Sequence, residues 1–193
     1  MDAHMVYRVI GVALLFLLVL AAGYLLRDKS ALRDISNGGN KPYSLGRVQL
    51  WWWSLIIIAM AIISFMFSGK LPDLNTTCLA LLGISLGTTV SGRVIDNTDQ
   101  SRGGGSRHQD AESKGLFTDI MSDREGISVH RFQSVAFNVI YGLTFIVYVI
   151  EKVVTSPNTQ TVFPDYDTTT LGILLASSSA YVAVKVTENL KKN

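Results

Sequence analysis

Residues 83–87 read G-I-S-L-G, the G-x-S-x-G spacing that presents a nucleophilic serine in many hydrolases. That chemistry needs a strand–turn–helix elbow and a histidine–acid pair beside the serine. The three histidines are His4, His108 and His130, and none of them falls in the apolar stretch that holds Ser85. The sequence therefore favours helix packing at this motif and predicts that the protein is not an enzyme.

Ligands for metals and cofactors are scarce. Asp73, Asp165 and Asp167 could offer carboxylates to a hard cation, but residues of this kind next to a helix start more often cap the helix. Cys78 is the single cysteine, which excludes a disulfide and a cysteine-rich zinc site. Haem would need axial ligands inside the protein, usually a histidine. We expect no metal and no cofactor.

The elements that carry these residues are predicted by the distribution of charge. Five stretches contain no Asp, Glu, Lys or Arg, and each is long enough for a helix to cross a bilayer. They are residues 9–26, 48–69, 74–92, 132–150 and 168–184. This pattern predicts an all-α integral membrane protein with five transmembrane helices.

The basic residues predict an orientation. With the N-terminus outside and the C-terminus inside, 14 of the 17 Lys and Arg residues fall on the cytoplasmic side, as the positive-inside rule requires. Residues 20–23, L-A-A-G, also resemble a signal-peptide cleavage region. Removal of the first span would reverse the expected insertion direction, so the charge count favours five spans.

A helical hairpin occurs twice in the sequence. The pattern S-x-x-R-x-Q begins at Ser44 and again at Ser128, and P-D-x-[ND]-T-T begins at Pro72 and again at Pro164. Both copies run in the same direction through the membrane, which predicts parallel repeats about an axis along the membrane normal, with the lead helix beside them. This doubled pattern, over about residues 42–188, resembles a group of short multi-span bacterial inner-membrane proteins. The resemblance implies an inner-membrane, multi-pass location and no particular activity.

The expected organisation follows from the spans and the repeat. A lead transmembrane helix covers residues 1–26, a cytoplasmic loop 27–43 and the first hairpin 44–92. A cytoplasmic linker covers 93–127 and contains an interfacial helix at 116–123, with apolar residues on one face. The second hairpin covers 128–186 and a cytoplasmic tail 187–193.

Three sets of residues are candidates for a role. Small side chains that allow close helix packing are Gly83, Gly87, Ser91, Ala176 and Ala180. Hydroxyls that could line a pore are Ser85, Thr88 and Ser178. Side chains expected to anchor helices at the membrane interface are Arg47, Trp51, Trp52, Trp53 and Arg131.

The leading functional hypothesis is a non-enzymatic membrane anchor or assembly subunit. It would form a homo-oligomer or recruit a partner protein through the cytoplasmic loop 93–130, with the lipid bilayer as its other partner and no nucleic acid. The alternative is a small oligomeric pore lined by the Ser- and Thr-rich third and fifth helices. No ionisable residue is expected near mid-membrane, which argues against proton-coupled transport.

Overall fold

The computed structural model describes residues 3–28, 30–36, 39–101, 110–123, 126–157 and 159–188. It is all-α, with five helices that are long and apolar enough to cross a membrane. These are α1 (Ala3–Arg27), α2 (Leu45–Ser68), α3 (Thr76–Ser101), α5 (Val129–Thr155) and α6 (Thr168–Glu188). The expected multi-pass, five-helix architecture is confirmed at this level.

The last four of these helices form a ring. Helix α2 packs against α3 and α5, and α6 packs against the same two helices. Helix α1 lies outside the ring and packs chiefly on α2. The centre is apolar, with Trp53, Leu81, Phe145 and Leu174 almost fully buried. Apolar contact thus fills the middle of the ring.

The described connections lie at two ends of the bundle. The loop end carries residues 28, 30–36, 39–44, 110–123 and 126–128, and the opposite end carries residues 69–75, 156–157 and 159–167. Asn75 Oδ1 accepts the N–H of Cys78 and so caps α3. Asp167 Oδ1 accepts the N–H of Thr170, so the cap expected of Asp167 is confirmed. Ser44 and Ser128 occupy the N-cap positions of α2 and α5, but their hydroxyls make no capping hydrogen bond.

Helix α2 ends in a left-handed turn. Gly69 has φ +70° and donates its N–H to the carbonyl of Phe65. A side chain there would be strained, and a Cβ would also collide with the Tyr7 ring of α1. Glycine at this position therefore both terminates α2 and lets α1 lie against it.

The linker helix is shorter than expected. Helix α4 covers Leu116–Met121, and the next two residues instead form β1 (Ser122–Asp123), which pairs antiparallel with β2 (Gly126–Ile127). Ile120 packs with Leu45 of α2 and Tyr181 of α6. The helix is thus docked on the bundle through its apolar face.

Candidate functional site

The hydroxyls considered for a pore are turned to their own helix. Ser85 is fully buried and donates to the carbonyl of Leu81 at 2.7 Å, and Thr88 donates to that of Ile84 at 2.8 Å. Because Ser85 sits within a continuous helix, the G-x-S-x-G motif forms no nucleophile elbow. The geometry at both residues suits helix packing.

A polar contact crosses the ring from α2 to α6. The amide Nε2 of Gln49 donates to Ser178 Oγ at 3.0 Å, and both side chains are buried. Gln133, which matches Gln49 in the sequence repeat, is exposed instead. Ser178, the third candidate pore residue, therefore serves as a contact between helices, and the matched glutamines have different environments.

The tryptophans lie at a helix contact. Trp52 Nε1 donates to the carbonyl of Asn138 at 3.1 Å, and Trp53 Nε1 donates to Asn138 Oδ1 at 2.6 Å. Trp53 is 1% exposed and packs edge-on against Phe145. Trp51 is half-buried and lines a cavity of about 210 Å³ between α2, α4 and α5. Interface anchoring was expected of all three, but Trp52 and Trp53 chiefly join α2 to α5.

The two matched arginines also differ from that expectation. Arg131 is 3% exposed, and its guanidinium carbon lies 4.9 Å from the centre of the Tyr181 ring. Arg47 is half-buried, and its Nη1 donates to the carbonyl of Ser30 at 2.8 Å. Arg131 thus faces protein, because Tyr181 of α6 covers the position where lipid contact was expected.

A buried ionic cluster closes the bundle at the loop end. Lys185 Nζ lies 3.1 Å from Asp96 Oδ1 and 3.4 Å from Asp34 Oδ1. The three side chains are 0%, 2% and 8% exposed, respectively. Gly92 of α3 lies next to the cluster, since a Cβ there would be 3.7 Å from Lys185 Nζ and 3.9 Å from the Tyr181 hydroxyl. The cluster joins α6 to α3 and to the connection between α1 and α2.

Sequence reasoning missed this cluster because it counted Lys185 among the solvated cytoplasmic charges. The helical spacing of residues did contain a signal. The residues that form the buried faces of α3 and α6 recur at helical intervals, and these intervals continue past the ends of the charge-free stretches. These faces comprise Ser85, Thr88, Gly92 and Asp96 on α3, and Ser178, Tyr181 and Lys185 on α6. A charged residue in phase with such a face is expected to need a buried partner.

A groove runs along the outside of the ring between α3 and α6. Its volume is about 530 Å³, and its lining includes Gly83, Gly87, Ser91 and Ser179. A Cβ added at either glycine would meet no neighbouring atom within 4 Å. Ala176 is exposed and Ala180 half-buried. The small residues expected to hold two helices in contact therefore leave a depression within a single copy.

Two other glycines lie tightly against neighbouring helices of the ring. A Cβ on Gly46 of α2 would lie 3.1 Å from the backbone of Thr89 on α3, whose hydroxyl donates to the Gly46 carbonyl. A Cβ on Gly142 of α5 would lie 2.6 Å from Trp52 Nε1 of α2. These two glycines set the approach of α2 to its neighbours in the ring.

The loop end forms an ordered platform. Buried Asp119 of α4 accepts the N–H of Tyr43 at 3.1 Å and the hydroxyl of Ser113 at 2.6 Å. This carboxylate ties the linker to the connection between α1 and α2. Phe117 and Ile127 remain exposed on the platform's surface. The acidic residue Asp119 of α4 is thus internal, while Phe117 of its apolar face stays uncovered.

Within the described residues, no three His, Cys, Asp or Glu side chains come together in a way that could hold a metal ion. Comparison with protein-family models found no match, and searches of curated proteins and of solved structures found none either.

Proposed function

We propose that this chain is a non-enzymatic assembly subunit of a bacterial inner membrane. It associates with a second copy through the α3–α6 groove and presents its loop end to the cytoplasm as an anchoring surface for a partner protein. The groove is the observation that carries this proposal.

The groove is better suited to contact with a second helix than to being filled by lipid. Gly83 and Gly87 stand on one face of α3, one helical turn apart, and both have room above them. Small residues at such spacing allow a second backbone to approach closely, which is how helices gain contact energy inside a bilayer. Ser91 and Ser179 add hydroxyls that could bond across the contact.

The interior supports assembly over conduction by one copy. Apolar side chains fill the centre of the ring, and the hydroxyls of Ser85 and Thr88 are bonded to carbonyls of α3. The Lys185 cluster then occupies the loop end of the same interior. An ion would have to displace both packing and buried ion pairs.

The anchoring role rests on the platform. Phe117, Ile127 and Val129 are exposed on three elements of the loop end, namely α4, β2 and the start of α5. Their scaffold is held by buried Asp119, so the apolar side chains have a fixed position. A fixed exposed apolar surface is typical of an interaction site.

The test is the oligomeric state of Gly87→Leu in lipid nanodiscs or mild detergent, measured by light scattering and by energy transfer between labelled copies. The added side chain enters the open groove, so the single copy should stay folded while association weakens by about tenfold or more. Gly23→Leu is the matched control, because a Cβ at Gly23 of α1 also meets nothing within 4 Å.

A wild-type protein that remains a single copy at all concentrations would contradict the proposal, as would equal association of the two variants. A conductance in planar bilayers that Ser178→Leu abolishes in a folded protein would favour the pore.

A further inference from the structure

A basic cavity opens at the loop end beside the ionic cluster. Its volume is about 340 Å³, and four cationic side chains line it: Arg33, Lys41, Arg47 and Arg93. Three separate parts of the chain supply them, namely the connection after α1, the first turn of α2 and the end of α3. The fold therefore gathers positive charge that is dispersed in the sequence.

The negative charges nearby are engaged elsewhere. Asp34 lines the same cavity and shares the Lys185 ammonium with Asp96, so this cluster carries one net negative charge against the four cationic side chains of the cavity. Asp28 accepts the hydroxyl and N–H of Ser30, and these hydrogen bonds hold the pKa of the Asp28 carboxyl below its ordinary value. None of the four cationic side chains lies within 4 Å of a carboxylate in the part of the chain that the structure describes.

Arg33, in the connection after α1, and Arg47, in α2, are both held in place, and both keep N–H donors that have no acceptor in the described part of the protein. Arg33 stacks 3.6 Å from the centre of the Tyr43 ring, and its Nη1 donates to the carbonyl of Lys41 at 2.7 Å. Its Nε is buried and has no hydrogen-bond partner. Arg47 uses Nη1 on the carbonyls of Ser30 and Ala31. Within the described residues, each guanidinium donates only through Nη1, so its Nη2 group has no protein acceptor.

We infer that this cavity binds a phosphate-bearing anion. Arginine offers parallel N–H groups that match phosphate oxygens, and a fixed cation without a counter-ion favours such a ligand. Arg47 stands in the first turn of α2 and Arg93 near the end of the apolar part of α3, which is the depth of lipid headgroups. The phosphate can come from an anionic phospholipid or from a soluble phosphate ester.

The test compares lipid retention by native mass spectrometry of the full chain released from nanodiscs. One set contains phosphatidylcholine alone, and the other contains phosphatidylcholine with phosphatidylglycerol. Arg93→Gln is the main variant, because Arg93 is exposed and its loss should leave the fold intact. Arg27→Gln is the control, since Arg27 is an exposed cation at the end of α1 that does not line the cavity.

Retained phosphatidylglycerol that falls about tenfold in Arg93→Gln, returns in Arg93→Lys and is unchanged in Arg27→Gln would support a lipid ligand. A parallel calorimetric titration with glycerol 3-phosphate, in phosphatidylcholine nanodiscs, tests the soluble source. Binding there that is lost in Arg93→Gln would support a soluble phosphate ester. The inference is overturned if neither probe binds, or if both arginine variants lose binding equally.

Discussion

At the residue scale, the main feature of the loop end is the buried ionic cluster of Lys185, Asp34 and Asp96. One ammonium faces two carboxylates where almost no water reaches. Burying such charges costs free energy. Removing one of them also costs free energy, because the partner left behind is an uncompensated buried charge. The contribution of the cluster is therefore to fix one arrangement of α6, α3 and the first connection.

Replacement of Lys185 by Met should strongly destabilise the protein. Asp34 and Asp96 would remain buried without a cation, and breaking a buried pair in this way costs about 3–5 kcal/mol. Denaturation in mixed micelles measures the loss, with exposed Lys114→Met as the control. The triple variant Lys185→Met, Asp34→Asn, Asp96→Asn should recover much of it. Equal stability of the two Met variants would contradict a structural role for the cluster.

Residues whose role depends on local sequence were predictable, and those whose role depends on distant contacts were not. The caps at Asn75 and Asp167 follow from the residues beside them, and the structure has both. Trp53 looked like an interface residue because its neighbours in sequence are tryptophans at a helix start. Its burial depends on Asn138, which lies 85 residues away.

At the element scale, charge-free stretches predicted five helices well, because the bilayer imposes length and apolarity on each span. They could not predict which faces meet. Hydropathy and small-residue spacing pointed to Gly83 and Gly87, whereas the glycines that lie tightly against a neighbouring helix of the ring are Gly46 and Gly142. A glycine's surroundings are set by the neighbouring helix and are invisible in its own sequence.

Gly142→Ala should therefore destabilise the contact between α2 and α5. The new methyl would lie 2.6 Å from Trp52 Nε1, and that ring is held by its hydrogen bond to the Asn138 carbonyl. Overpacking of this kind costs about 1–3 kcal/mol. Gly172→Ala on α6 is the control, because no atom lies within 4 Å of its Cβ position. If the two variants unfold alike in mixed micelles, the α2–α5 contact is looser than the structure indicates.

At the scale of the whole molecule, four helices form a ring and α1 lies on its outside. Only 6% of the most apolar window of α1 is buried within the protein, against 28% for each of the other spans. Most side chains of α1 are therefore exposed, and its remaining face contacts α2. Most of the buried contacts lie within the ring. The two ends of the bundle differ in charge, because the loop end carries the basic cavity.

The proposed N-out, C-in orientation predicts how introduced cysteines should be labelled in intact cells. In a Cys78→Ala background, a cysteine at exposed Ser156 should react with a membrane-impermeant maleimide from outside. A cysteine at exposed Ala111, on the loop end, should react only after permeabilisation. The reverse pattern at these two positions would overturn the N-out, C-in orientation.

The Lys185 cluster also bears on the order in which the chain is made. Asp34 emerges from the ribosome early, whereas its cation lies 151 residues further along, in the last of the five spans. Asp34 and Asp96 therefore lack their cationic partner until α6 enters the bilayer. A nascent copy in which α6 has not yet inserted therefore carries two carboxylates without the buried cation that both of them contact in the finished protein.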